Sequence, residues 1–209
     1  MEAEVIDALL KTRSVIINSR EPFRWASGIL SPIYTDNRLL LSYPEERKKI
    51  MDAFTRAAQK LEFDIIAGVA TSGIPWAAWL AERLSRPLVY ARSDTKDHGR
   101  KNLVEGRVEK GTRALVIEDL VSTGGSSVAA VEAVRSTGAV VTDCIAIFTY
   151  GLKAAEERFR NAGCRLHTLT NFSELIVSAA ARGYLDREET ARLSDWIKDP
   201  ENWSANHVD

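Results

Sequence analysis

The stretch from Ala114 to Ser127 constrains this chain more than any other. An apolar run, Ala114-Leu115-Val116-Ile117, meets two acids, Glu118 and Asp119, and continues as Leu120-Val121-Ser122-Thr123-Gly124-Gly125-Ser126-Ser127. Half of the apolar run is β-branched, which suits a strand covered on both faces of a parallel sheet. The Ser/Thr/Gly cluster predicts a turn that opens a helix, running to Thr137 and stopping at Gly138. The glycines permit positive φ and close approach to a ligand. Backbone N–H groups, hydroxyls and the positive end of the helix dipole would then converge on one anion, and phosphate suits that arrangement.

Two carboxylates beside a phosphate would repel it, so the pair must hold something neutral or cationic. A ribose diol or a hydrated Mg2+ meets that need, and a ribose 5-phosphate group satisfies both halves of the pattern. No Lys follows the glycines as in a P-loop, and Gly124-Gly125 lacks the spacing of a dinucleotide fold. An ordinary strand-loop-helix turn with an acidic start is the plain structural alternative.

The rest of the chain alternates strand and helix. Residues 4 to 18 predict an amphipathic helix with Val5, Ile6, Leu9, Leu10 and Arg13 on one face, ending near Ser14. Phe23 to Arg38 is broken by Gly, Pro and Ser, with a short strand at Ile33-Tyr34. Ser42 is placed to cap a helix that begins with Pro44 and continues to Leu61. Strands are expected at Asp64 to Ala70, Leu88 to Ala91, Val140 to Phe148 and Arg165 to Leu169, with helices from Trp76 to Leu84 and Ala154 to Asn161. The chain end reads as helical to about Lys198, with a frayed tail after Pro200. Between Arg92 and Glu109 lies a polar stretch too charged for a core, a length of unstructured loop that suits a lid. The expected fold class is α/β, a mainly parallel central sheet with helices on both faces.

Composition excludes several classes. With 209 residues, 45% hydrophobic and 27% charged, the chain reads as one globular domain, 1–209. A net charge of -1 offers no electrostatic argument for nucleic acid or a membrane surface. Cys144 and Cys164 read as thiols in a reducing compartment, and the acidic start Met1-Glu2-Ala3-Glu4 lacks the basic residues of a signal peptide, so a cytoplasmic location is expected.

Val116-Ile117-Glu118-Asp119-Leu120-Val121-Ser122-Thr123-Gly124-Gly125-Ser126 resembles the phosphoribosyl pyrophosphate signature of the type I phosphoribosyltransferases. Two further stretches, Ser27-Gly28-Ile29-Leu30-Ser31-Pro32-Ile33-Tyr34-Thr35-Asp36-Asn37-Arg38 and Arg92-Ser93-Asp94-Thr95-Lys96-Asp97-His98-Gly99, resemble the orotate phosphoribosyltransferases, from roughly Leu9 to Leu193 in all. The resemblance implies transfer of ribose 5-phosphate from phosphoribosyl pyrophosphate to orotate in pyrimidine (UMP) synthesis, with Mg2+ on the diphosphate. A small N-terminal hood (1–40 with the first helix) and a mobile catalytic loop (92–109) come with it. So does a homodimer whose sites take the signature loop from one subunit and the Lys-x-His-Gly loop from the other.

Carried over residue by residue, Lys96, His98 and Asp119 are the expected catalytic residues, His98 as a charge-assisted donor or a proton carrier. Arg92, Lys96, His98, Thr71 and Ser72 would meet the diphosphate, Glu118 and Asp119 the ribose hydroxyls, and Leu120, Val121, Ser122, Thr123, Gly124, Gly125 and Ser126 the 5'-phosphate side. Ser122, Tyr34 and Ser27 would touch orotate, and no residue is assigned directly to the metal. The family also implies a strained, cis peptide at Ala70-Thr71. Some members carry lysines where this chain has Ala26, Ser72 and Ser93, and Arg24, Arg38, Arg100 or Lys101 are the candidates to replace them. A phosphoribosyltransferase for another base, or a non-catalytic regulator that senses phosphoribosyl pyrophosphate, are the alternatives.

Overall fold

A computed structural model describes residues 2–18, 21–25, 28–92 and 103–206. At its centre is a six-stranded sheet assembled from β5 (Ile65–Val69), β6 (Leu88–Ala91), β7 (Val104–Glu105), β8 (Arg113–Val121), β9 (Val140–Thr149) and β10 (Arg165–Asn171), in the order β10-β9-β8-β5-β6-β7. Every pair is parallel except β6 with β7, which is antiparallel. The expected helices cover both faces. Alternate strand residues point to opposite sides. Ile66, Leu115, Ile117 and Ile145 pack beneath α1 (Glu2–Lys11), α2 (Pro44–Ala58), α3 (Gly73–Leu84), α6 (Phe172–Ala181) and α7 (Arg187–Trp196). Ile65, Ala67, Val116 and Cys144 pack beneath α4 (Gly125–Ser136) and α5 (Lys153–Asn161).

Several expected boundaries move, each for a local reason. The first helix stops at Lys11, because Arg13 turns into left-handed backbone at φ 53°, and Val15–Ile17 then forms β1. β1 pairs antiparallel with β4 (Ile33–Thr35), while β2 (Phe23–Arg24) pairs with β3 (Leu30–Ser31), and these two small sheets are the hood. Ser42 does not cap α2. It ends a 3-10 helix, Asn37–Ser42, and Tyr43 occupies the cap without a side-chain hydrogen bond. α3 starts three residues earlier than Trp76, with Pro75 tolerated in the first turn, where no intrahelical N–H partner is needed. The polar stretch after Arg92 is not loop throughout, since Val104–Glu105 adds a strand to the sheet edge.

As far as Asn206 the tail is not frayed. Asp199 caps α8 (Pro200–Ala205) by accepting from Asn202 N at 3.1 Å, and Ser204 Oγ accepts from Leu30 N at 2.8 Å. Trp196 Nε1 donates to Leu30 O at 3.1 Å, and Trp25 packs between Tyr150 and Trp196 at ring separations of 4.9 and 5.6 Å. The end of the chain thus anchors the hood over the sheet.

Candidate active site

From β5 the chain steps outward to β6, whereas from β8 it steps the other way to β9 and β10. β5 and β8 are neighbours, so their carboxyl ends face a crevice from which the following loops diverge, the position where open α/β sheets take ligands. The loop after β5 holds Ala70, Thr71 and Ser72, and its Ala70-Thr71 peptide is cis. Gly73 presses this loop against β8, for a Cβ there would lie 2.5 Å from the Ile117 carbonyl oxygen. The result is a cavity of about 250 Å³. Thr71, Ser72, Glu118, Asp119, Leu120 and Ser126 line it on the sheet side, and Thr35, Asp36, Asn37 and Arg38 on the hood side.

The acids belong to the strand rather than to a loop after it, which buries them at 4% and 9% exposure. Glu118 accepts from Asp119 N through Oε1 and from Ser127 Oγ through Oε2, both at 3.0 Å. Burial first, and the adjacent Asp119 second, push the Glu118 carboxyl well above the usual carboxylate range, and burial also raises Asp119. Such a pair suits polyhydroxyl or cationic groups that supply the hydrogen bonds and charge it lacks. Asn37, 1% exposed, donates Nδ2 to Asp119 O at 2.7 Å and ties the hood side of the cavity to the acid pair.

The loop after β8 turns as the glycines predict. Gly124 takes φ 79° at the N-cap of α4, and Phe159 lies 3.3 Å from the position its Cβ would take, so glycine is required twice over. Val121 is fully buried and its carbonyl accepts from Thr149 Oγ1 at 3.0 Å, so its side chain is core and cannot face a ligand. Ser122, Thr123, Gly124 and Gly125 follow at the entry to α4, and of this turn Ser126 is the residue that lines the cavity.

Other expected residues lie elsewhere. Arg92 is on the β6 edge, 3.7 Å from Glu105 and 6.0 Å over the Tyr90 ring, and does not line the cavity. Tyr34 is 40% exposed and packs on Phe23, on the opposite face of β4 from Thr35, which does line it. Ser27, Lys96 and His98 lie outside the described residues, as do Ala26, Ser93, Arg100, Lys101 and most of the expected catalytic loop. Two contributors carry little sequence signal. Asp36 and Asn37 belong to the resembling hood stretch without an expected role, and Arg38 is there only one of four candidates to replace the absent lysines. Arg158, an unremarked cation on α5, donates Nη1 to Thr123 O at 2.7 Å and braces the turn.

The phosphoribosyl transferase domain family matches residues 40–174, and with this sheet and acid-loop site it places the molecule among the phosphoribosyltransferases. An orotate phosphoribosyltransferase from Coxiella burnetii is 51% identical over 202 residues, covering 96% of this chain and 97% of that protein. The orotate phosphoribosyltransferase from Aeropyrum pernix superposes with a TM-score of 0.76 at 33% identity, over 87% of this chain and 99% of that one. Leishmania donovani UMP synthase superposes at 0.80 with 25% identity, and there 94% of this chain spans 42% of the longer protein. The chain belongs to the orotate phosphoribosyltransferase family.

Proposed function

We infer that this protein transfers the ribose 5-phosphate group of phosphoribosyl pyrophosphate to orotate, releasing pyrophosphate and giving orotidine 5'-monophosphate for pyrimidine synthesis. The observation that carries the reading is the buried acid pair at the cavity wall, followed without a break by a glycine turn at the start of a helix. In the reaction the bond from C1 of the ribose to the diphosphate oxygen breaks, with its electrons leaving on oxygen. N1 of orotate, which gives up its proton, supplies the pair for the new bond to that carbon. Cationic character grows on the sugar as charge grows on the leaving group, so the enzyme's task is to hold both reactants in line and to match those charges.

Asp119 and Glu118 are assigned to the ribose hydroxyls and, through their charge, to the developing cation. The turn from Ser122 to Ser126 would take the 5'-phosphate with its N–H groups and hydroxyls, and Thr71 and Ser72 would face the diphosphate. Lys96 and His98 are assigned to the same diphosphate, lent by the second subunit of a homodimer working in the cytoplasm. Ser27 and Ser122 are assigned to the orotate side, and Tyr34, packed on Phe23 outside the cavity here, would have to turn inward to join them.

The donor set fits Mg2+. Glu118 and Asp119 stand as adjacent carboxylates at the cavity wall, while Asp36 is engaged by Arg38. One or two carboxylates completed by substrate oxygens and water is the coordination this ion takes. Bound there, Mg2+ supplies charge neutralisation to the diphosphate. Loss of orotate absorbance on addition of phosphoribosyl pyrophosphate and Mg2+ tests the reading. Turnover with uracil or a purine in place of orotate would reject it.

A further inference from the structure

The cavity poses a charge problem. Among the described side chains that line it, Asp36, Glu118 and Asp119 are acids and Arg38 is the one cation. Orotate is a planar pyrimidine bearing a carboxylate, so it brings one more negative charge toward a wall of like charge. A carboxylate leaving water needs a cation, and a planar one is matched best by a guanidinium. We propose that Arg38 is the specificity-determining residue that binds the carboxylate of the acceptor base. This deepens the functional reading above and rests on it.

The local backbone sets where Arg38 stands. It is the second residue of the 3-10 helix that follows β4, and Asp36, the cap, accepts from Arg38 N at 3.1 Å. Asn37, immediately before it, is tied to the Asp119 carbonyl, so the distance from Arg38 to the acid pair is held by a buried hydrogen bond one residue away. The side chain gives Nε and Nη2 to the two oxygens of Asp36 at 2.7 and 2.8 Å. This side-on fork fixes the guanidinium plane. It leaves the end edge, Nη1 and the second Nη2 proton, without an acceptor among the described residues, and that edge takes a second carboxylate in the same planar way.

At 62% exposure the side chain is reachable by substrate, and it lines the same cavity as Glu118 and Asp119. Two other described arginines near the hood and the sheet edge are committed elsewhere. Arg24 donates Nη1 to Gly28 O at 3.0 Å within the hood turn, and Arg92 pairs with Glu105. An uncharged pyrimidine can offer the end edge of Arg38 only a single carbonyl oxygen, without the charge or the planar pair of oxygens, which makes the contact selective for orotate.

The test compares wild type with Arg38→Met and Arg38→Lys, measuring KM for orotate at saturating phosphoribosyl pyrophosphate and then the reverse. Arg38→Met should raise the orotate KM by at least about tenfold, Arg38→Lys by less because charge remains without the fork, and the phosphoribosyl pyrophosphate KM should move by less than about twofold. An unchanged orotate KM overturns the assignment. So does an equal rise for both substrates, or a rise for phosphoribosyl pyrophosphate alone, which would give Arg38 to the diphosphate. Lysine keeps the aliphatic stem and the charge, so the comparison does not depend on the methionine variant folding. Wild-type protein that leaves orotate unconsumed would overturn the functional reading itself, and this proposal with it.

Discussion

At the scale of single residues, the acid pair shows function working against stability. Glu118 and Asp119 sit side by side in a buried strand, and burial raises both carboxyls. A carboxyl whose folded value lies above its unfolded one costs stability at neutral pH, and that cost shrinks as pH falls through the folded value. Asp119→Asn keeps the shape and removes one charge. Turnover should fall by at least about tenfold, while the thermal midpoint at neutral pH stays level or rises. The stability advantage over wild type should fade as pH falls through the raised folded value toward the ordinary carboxylate range. Thermal melts from neutral to acid pH check the second half. A lower midpoint at neutral pH would mean the pair is structural.

At the scale of elements, α5 does more than cover the sheet. Phe159 packs against Gly124 and Arg158 holds the Thr123 carbonyl, so this helix is the outer wall of the phosphate turn. The Arg158 guanidinium also lies 3.7 Å from where a Gly125 Cβ would stand, at the positive end of α4, where a cation is misplaced until an anion arrives. Arg158→Met is therefore expected to raise the KM for phosphoribosyl pyrophosphate by about three- to tenfold with little change for orotate, read from initial rates.

The opposite end of the sheet holds a purely structural device. Asp143, buried on β9, accepts from Arg165 at 2.9 and 2.8 Å and from His167 at 2.7 Å across to β10. Burial alone would raise its carboxyl, but these bonds and that from Thr142 outweigh it and hold it at about 2. Its contribution is present above about pH 4 and is lost as pH falls toward about 2. Asp143→Asn should cost roughly 1 to 2 kcal/mol at neutral pH, discounted because Arg165 is largely exposed. Urea denaturation should find that difference narrowing below about pH 4 and closing only toward about pH 2.

At the scale of the whole molecule, the question is whether one chain completes its own site. Arg92, which opens the expected catalytic loop, follows the end of β6, pairs with Glu105 and is not among the residues lining the cavity of its own chain. That placement agrees with a loop lent to a second subunit. If so, two dead variants rescue each other. Lys96→Ala spoils only what a subunit lends and Asp119→Asn only what it owns, so a mixed dimer has one site with both lesions and one with neither. With about half the dimers mixed, exchange should restore about a quarter of wild-type activity. Continued inactivity, with exchange verified by mass spectrometry, would mean that each chain supplies its own loop.

What the sequence alone determined is what is local in the chain. A β-branched run, two acids, a glycine turn and a helix are consecutive, and their spacing is enough to place the acids beside a phosphate turn and to call for a parallel α/β sheet. The elements decided otherwise are those that depend on distant neighbours. Ser42 looks like a cap until the 3-10 helix before it takes that residue, and α8 looks like a tail until Ser204 is seen to hold Leu30. Val121 belongs to the motif by sequence, yet the register of β8 on β9 turns it into core. Arg158 and Asn37 reach the site only because packing brings α5 and the hood to the ends of β8, and no spacing along the chain encodes a contact made across 35 or 82 residues. Those contacts follow from burial of apolar surface, which depends on the assembled layers and leaves no periodic trace at the polar positions it brings together.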